Sequence, residues 1–143
     1  MKKFGLIGVV VLLLLTSGFI YMKSQYFFNP LTYKQDNITP QSWTHYKSPL
    51  LMEISNIDKS WETVVITNVD EIAFVFSELK RGKETERNYQ NRKTHFAITV
   101  RTKGVDGVIT QYDGYLESYI RVGNQSISIT DMLNDFIKEK LAL

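Results

Sequence analysis

The chain has 143 residues, 43% of them hydrophobic and 22% charged, a balance typical of a folded protein. It contains no cysteine, which excludes disulfide bonds, thiolate metal sites, a cysteine nucleophile and a lipid-modified N-terminal cysteine. The 17 basic residues exceed the 15 acidic ones only because of Lys2 and Lys3. The rest of the chain is formally neutral, and we therefore expect no nucleic acid partner.

The N-terminal segment, residues 4–22, carries no charge and consists mainly of Val, Leu, Ile, Gly and Phe. As a helix it spans about 28 Å, close to the thickness of a bilayer hydrocarbon core. We expect an uncleaved transmembrane anchor, because apolar residues continue beyond Gly18 into Phe19 and Ile20. The alternative is a signal peptide that is cleaved near Gly18 and leaves a secreted domain.

The charges beside this segment predict its orientation. Lys2 and Lys3 precede it, whereas only Lys23 follows closely. Basic residues favour the cytoplasmic side of a membrane helix. We therefore expect residues 1–3 to form a short cytoplasmic stub and the remaining chain to lie outside the cytoplasm.

Residues 23–48 are predicted to form an irregular tether. The three prolines of the chain, Pro30, Pro40 and Pro49, lie close together in and just after this segment. Proline lacks an amide donor and disfavours helix at the preceding residue. The aromatic side chains of the tether indicate that parts of it lie on the bilayer surface or on the domain.

Residues 49–143 are predicted to form one α+β domain with the element order β-β-α-β-β-β-β-α. Asn68 and Glu71 resemble a capping box at the start of the first helix, which ends near Gly82, and Thr130 or Ser128 caps the second. Short turns between neighbouring strands predict an antiparallel, meander-like sheet, with both amphipathic helices packed on one face. The predicted strands cover residues 50–57, 63–67, 95–100, 108–112, 115–122 and 125–129.

The sequence offers no catalytic, cofactor-binding or metal-binding constellation. His45 and His95 are far apart and have no acidic residue at ligand spacing, so we predict no metal site. Motifs of nucleophile elbows and phosphate-binding loops are absent from the sequence. Asp113 and Glu117 could approach each other as paired carboxylates, although nothing else in the sequence supports acid–base catalysis.

A basic loop between residues 80 and 93 is the first candidate interaction surface. Its cations outnumber Glu84 and Glu86, and the segment is long, polar and almost free of aliphatic residues. It could contact lipid headgroups, an anionic wall polymer or an acidic protein, or it could be a solvated loop that continues a helix end. Its basic side chains are Lys80, Arg81, Lys83, Arg87, Arg92 and Lys93.

An aromatic sheet face is the second candidate surface. If residues 116, 120 and 122 face the core, Tyr115, Glu117, Tyr119 and Arg121 lie on the opposite face, and Tyr112 is nearby on the preceding strand. Exposed tyrosines with flanking charges are suited to recognising a protein or a glycan. The alternative is that the tyrosines form cross-strand pairs on a solvated face.

The layout of the chain resembles the small membrane-anchored or secreted proteins of Gram-positive bacteria. The likeness consists of a Met-Lys-Lys start, one hydrophobic segment and a domain of about a hundred residues. Residues 64–72, followed by Leu79, are similar to the strand–helix opening of several such proteins. The chain lacks the lipobox cysteine that many of them carry, and the resemblance transfers no functional residues.

Three functions compete at this point. The expected one is a membrane-tethered extracytoplasmic binding module acting on an envelope protein, a peptide or a wall polymer. The alternative is a structural subunit of an envelope or secretion complex, although the region of Lys3 and Phe4 lacks the Glu of a processed pilin. A small envelope hydrolase is the least favoured. No cofactor is predicted, and no expectation about oligomeric state follows.

Overall fold

A computed structural model of the chain describes residues 2–86 and 94–143. Within these ranges the helices are α1 (Lys2–Gln25), α2 (Val69–Arg81) and α3 (Asp131–Lys140), with a short 3₁₀ turn at Trp43–His45. The strands are β1 (Leu50–Asn56), β2 (Glu62–Ile66), β3 (His95–Thr102), β4 (Thr110–Tyr115), β5 (Tyr119–Val122) and β6 (Gln125–Ser128).

The six strands form one antiparallel sheet in the order β2-β1-β3-β4-β5-β6. Helices α2 and α3 pack on one face of this sheet and share its hydrophobic core. The predicted α+β class, the element order and the antiparallel pairing are confirmed. Strand β3 pairs with β1 rather than with β2, so only β3 to β6 follow one another as a meander.

Both helix starts follow from the residues that precede them. The side chain of Asn68 accepts hydrogen bonds from the backbone N–H groups of Asp70, at 2.8 Å, and Glu71. Thr130 Oγ1 accepts from the backbone N–H of Leu133 at 3.2 Å. These side chains satisfy amide donors that have no partner inside the helix.

The hydrophobic core lies between the sheet and the two helices. Register places Ile54, Ile98 and Tyr112 side by side on β1, β3 and β4, all facing the helices. Helix α2 contributes the buried residues Ile72, Val75, Phe76 and Leu79, and α3 contributes Leu133 and Ile137.

The strands of the β4–β5 hairpin differ from the prediction. Strand β4 extends to Tyr115, which pairs with Tyr119, so residues 116–118 form a turn rather than the start of β5. The apolar alternation continues through this turn because the Leu116 side chain is buried in the core. Glu117 has a φ of 57° at the turn and does not share a strand face with the tyrosines.

Helix α1 contains a stretch, Ile7–Gln25, that is long and apolar enough to cross a membrane. The residues of this stretch are exposed rather than packed against the domain. The helix ends at Gln25, and the next residue, Tyr26, already pairs with Lys47. The Phe27 N–H donates to the Tyr46 carbonyl at 2.8 Å, and the Ser48 N–H donates to the Gln25 carbonyl at 2.9 Å. Backbone hydrogen bonds therefore join the end of α1 to the residues that lead into β1.

An aromatic cluster places much of the segment after α1 on the domain. The ring of Phe28 lies 5.0 Å from Tyr33, 4.9 Å from Tyr46 and 5.3 Å from Phe76 of α2. The Tyr112 hydroxyl donates a hydrogen bond to the carbonyl of Ile38. Burial raises the pKa of Tyr46 and Tyr112, so both remain neutral phenols at physiological pH.

Candidate functional site

The register of the sheet defines two ends of the domain. Leu50 pairs with Thr102 at the end that joins α1, which we call the proximal end. Asn56 pairs with Phe96, and His95 pairs with Tyr115, at the opposite or distal end. At about 3.3 Å per residue, strand β1 separates the two ends by about 20 Å.

The sheet face opposite α2 and α3, which we call the open face, carries a depression in its distal half. This distal depression has a volume of about 470 Å³. It is lined by Ile57, Trp61, His95, Gln111, Asp113, Tyr115, Tyr119 and Arg121.

Aromatic rings form one part of the distal depression. His95 and Tyr115 are cross-strand neighbours, and their rings stack with centroids 4.5 Å apart and an interplanar angle of 16°. The Tyr119 ring lies 5.7 Å from that of Tyr115. Trp61 stands at the edge with 58% of its surface exposed. Such rings offer broad apolar faces together with polar edges.

Polar side chains form the other part. Gln111 Nε2 donates to Asp113 Oδ1 at 3.1 Å, and Arg121 is the register partner of Asp113 on β5. The depression thus presents an amide, a carboxylate and a guanidinium beside the aromatic rings. The formal charges of Asp113 and Arg121 are opposite, so they balance among the described lining residues.

Trp61 occupies an unusual backbone conformation in the β1–β2 loop. Ser60 and Trp61 have φ values of 54° and 63°, and the Glu62 N–H donates to the Lys59 carbonyl at 3.1 Å. Two central residues with positive φ mark a type I′ turn, a conformation that favours Asn and Gly. A bulky residue in this conformation is an outlier, and such outliers cluster at functional sites.

Trp61 was not among the residues that the sequence singled out. A usable signal is nevertheless present, because Trp61 directly follows the turn-forming run Asp58-Lys59-Ser60 without a nearby glycine. A large aromatic side chain at the tip of a tight hairpin has little core to enter and is directed to the surface.

The structure brings together three of the five residues named for the aromatic face. Tyr115 and Arg121 line the depression, and Tyr119 supports it with only 6% of its surface exposed. Tyr112, which was expected nearby on the preceding strand, does not contribute to this surface. It alternates with Gln111 and Asp113 along β4, so its ring points to the helix side and is buried in the core.

The two candidate carboxylates do not form a pair. Asp113 lies on the open face, whereas Glu117 lies in the β4–β5 turn and contacts α3. Its Oε1 accepts a hydrogen bond from Lys138 Nζ at 2.5 Å, and its backbone N–H donates to Asn134 Oδ1 at 2.9 Å. The side chains therefore belong to different sides of the sheet.

The basic surface is only partly within the described residues; Arg87, Arg92 and Lys93 lie outside them. Arg81 pairs with the buried Glu78 at 2.6 Å, and Lys80 pairs with Asp36 at 2.7 Å. The backbone of Lys83 accepts from the Ser128 N–H at 2.8 Å, so this stretch runs beside β6. Two of the predicted cations thus serve contacts within the domain.

The Asp36 carboxylate shows the electrostatic effect of its pair. Partial burial alone raises the pKa of Asp36, but the Lys80 ammonium and the hydrogen bonds from Thr39 outweigh burial and lower it. The Thr39 N–H donates to Asp36 Oδ1 at 2.7 Å. Asp36 is therefore better stabilised as an anion in the folded chain than in the unfolded one.

Among the described residues, no group of three or more His, Cys, Asp or Glu side chains is placed to hold a metal ion. His45 Nδ1 contacts Ser42 Oγ at 3.0 Å near the proximal end, whereas His95 stacks on Tyr115 at the distal end. Comparison with protein-family models, curated proteins and solved structures finds no match to this chain.

Proposed function

We propose that this protein is a membrane-tethered extracytoplasmic binding module that holds an uncharged wall glycan in the distal depression. The observation that carries the proposal is the combination, in one depression, of the exposed Trp61, the stacked pair of His95 and Tyr115, and the polar pair of Gln111 and Asp113. The anchor is helix α1, oriented by Lys2 and Lys3.

The chemistry of the lining matches that of a sugar. A pyranose ring has an apolar face of C–H groups, which packs against the face of an aromatic side chain such as Trp61. Its rim carries hydroxyl groups, which can donate to Asp113 and Gln111 and accept from Arg121. A shallow aromatic depression with a few convergent polar groups supports recognition of such a ligand.

The charge of the depression favours a neutral polymer. Asp113 and Arg121 oppose each other in register, and the described lining residues carry no excess of either sign. A polyphosphate chain would need several cations without carboxylate neighbours. An uncharged, hydroxyl-rich strand needs none.

The position of the depression supports a ligand in the wall rather than in the membrane. The distal end lies about 20 Å beyond the proximal end along strand β1. In the proposed orientation the depression lies at the end of the domain that is farther from the lipid surface and nearer the cell wall.

The test uses the two tryptophans of the chain. Trp43→Phe leaves Trp61 as the only tryptophan, and its emission is recorded while full-length protein in nanodiscs is titrated with uncharged N-acetylglucosamine oligomers and isolated glycan strands. We expect a blue shift and a saturable titration, because a sugar ring would remove water from the exposed indole.

Two further variants make the result specific. Gln111→Ala should weaken glycan binding about fivefold or more, because one hydrogen-bonding group is lost. Val65→Ala changes an exposed side chain outside the depression and should leave binding unchanged. A titration that saturates with peptides but not with glycans would contradict the proposed ligand class.

A further inference from the structure

The junction between α1 and the domain contains no spacer. Helix α1 ends at Gln25, Tyr26 pairs with Lys47, and the Ser48 N–H donates to the Gln25 carbonyl at 2.9 Å. When α1 crosses a bilayer, the proximal end of the domain is therefore held at the level of the lipid headgroups. A flexible linker would have allowed it to move away.

The loop between β3 and β4 lies beside this junction. Tyr26 and Lys47 line one side of a cleft of about 660 Å³, and Val105 and Val108 of the loop line another. Val105 is 58% exposed and Val108 is 46% exposed. Two solvent-exposed aliphatic side chains thus stand at the tip of a hairpin next to the end of the apolar helix.

We propose that the proximal end of the domain docks on the bilayer surface, with Val105 and Val108 in the interfacial region and phospholipid headgroups in the cleft beside Tyr26. This inference rests on the membrane tethering in the proposed function, but it concerns a different surface and a different ligand from the distal depression.

The chemistry of the cleft fits a zwitterionic phospholipid headgroup. The exposed ammonium of Lys47 can pair with the lipid phosphate, and the Asp106 carboxylate can pair with the headgroup ammonium. The hydroxyl groups of Thr44 and Thr102 can hydrogen-bond to ester or phosphate oxygens. The Tyr26 ring packs edge-on against Trp43, with centroids 4.7 Å apart. Tyrosine and tryptophan prefer the membrane–water interface, where one side is apolar and the other is wet.

The experiment exploits the absence of cysteine from the chain. Single cysteines are introduced as Val105→Cys at the hairpin tip, Leu14→Cys in α1 and Lys59→Cys at the distal end, and each is labelled with a small fluorophore. Full-length protein is reconstituted in phospholipid nanodiscs that carry nitroxides either at the headgroup or deep in the acyl chain.

We expect headgroup nitroxides to quench the Val105→Cys label at least three times more strongly than the Lys59→Cys label. Acyl-chain nitroxides should quench the label at Leu14→Cys. Adding Val108→Asp to the Val105→Cys chain should reduce headgroup quenching, because a carboxylate resists entry into the interface. Both valines are exposed, so these changes should leave the fold intact.

The outcomes separate the two proposals. If Leu14→Cys is quenched but Val105→Cys is quenched no more than Lys59→Cys, docking is wrong and tethering stands. If Leu14→Cys is not quenched, the tether itself is wrong. Strong quenching of Lys59→Cys would mean that the domain lies flat on the lipid, which also overturns the proposed docking geometry.

Discussion

At the scale of single residues, Trp61 combines a positive φ with a large, mostly exposed side chain. Its positive φ costs free energy that Gly or Asn would not lose, and 58% of its surface remains in contact with water. A residue that is both strained and exposed is better explained by ligand contact than by packing.

Trp61→Gly should therefore raise the free energy of unfolding by about 1 kcal/mol while abolishing glycan binding. The free energy of unfolding is measured by chemical denaturation of the full-length protein in detergent. Glycan binding is measured by calorimetric titration with the oligosaccharide. Ser60→Gly is the matched control, since it relieves strain in the same turn but keeps the indole. A lower stability of Trp61→Gly would show that the indole contributes packing instead.

Gly114 lies where β4 has no room for a side chain against its neighbours. A Cβ added at Gly114 would lie 2.8 Å from the carbonyl oxygen of Tyr119 and 2.9 Å from the Phe96 ring. Gly114→Ala should reduce the free energy of unfolding of the domain by about 1–3 kcal/mol, because backbone and a buried ring must move apart. Gly8→Ala, whose added Cβ meets nothing within 4 Å, should leave it unchanged in the same denaturation experiment.

Between elements, the buried carboxylate of Glu78 joins the two helices. Its Oε2 accepts from Thr130 Oγ1 at 2.7 Å, and its Oε1 accepts from Arg81 at 2.6 Å. Thr130 in turn caps α3 through the Leu133 N–H. One side chain of α2 therefore positions the start of α3.

Glu78→Ala should lower the free energy of unfolding by about 1–3 kcal/mol, because the partly buried Thr130 hydroxyl loses its acceptor and Arg81 loses its partner. Glu78→Gln keeps an acceptor for Thr130 and should cost less. Urea denaturation compares both with Glu139→Ala, an exposed position on α3 where we expect a change within about 0.5 kcal/mol. Equal losses for Glu78→Ala and Glu139→Ala would contradict this account.

The elements were largely predictable because local patterns encode them. Alternation along β3, the Asn68 cap and the two-residue turn at Gly123 depend on residues that are neighbours in sequence. The turn at residues 116–118 was missed because Leu116 preserves the apolar alternation while leaving the strand. That error extended β5 too far and placed Glu117 on the open face with the tyrosines.

For the molecule as a whole, the segment after α1 belongs to the packing of the domain. Phe28 and Tyr46 contact Phe76 of α2, and Asp36 forms an ion pair with Lys80 at 2.7 Å. These contacts join residues that are far apart in sequence, so no local pattern could specify them. For the same reason the distal depression, assembled from three strands and the β1–β2 loop, could be predicted only in part.

The lowered pKa of Asp36 predicts a pH dependence. The folded chain stabilises the charged carboxylate, so this contribution is complete above the ordinary pKa of 3.8 and is lost as pH falls through the lower folded value. Asp36→Asn should therefore reduce the difference in unfolding free energy between about pH 6 and about pH 3. Lys80→Gln should reduce it in part, since the Thr39 hydrogen bonds remain. An unchanged pH profile in both variants would contradict the assignment.

The hydrogen-bonded junction between Gln25 and Ser48 also means that a rotation of α1 about its axis would rotate the domain with it. An α-helix turns by about 100° per residue. If α1 crosses the bilayer as proposed, one residue inserted into it would rotate the open face by about 100° around the helix axis. Four inserted residues would return the open face close to its original orientation, because they add about one full turn of helix. If α1 also packs against another membrane helix, the side of α1 that makes this contact determines the direction in which the distal depression opens.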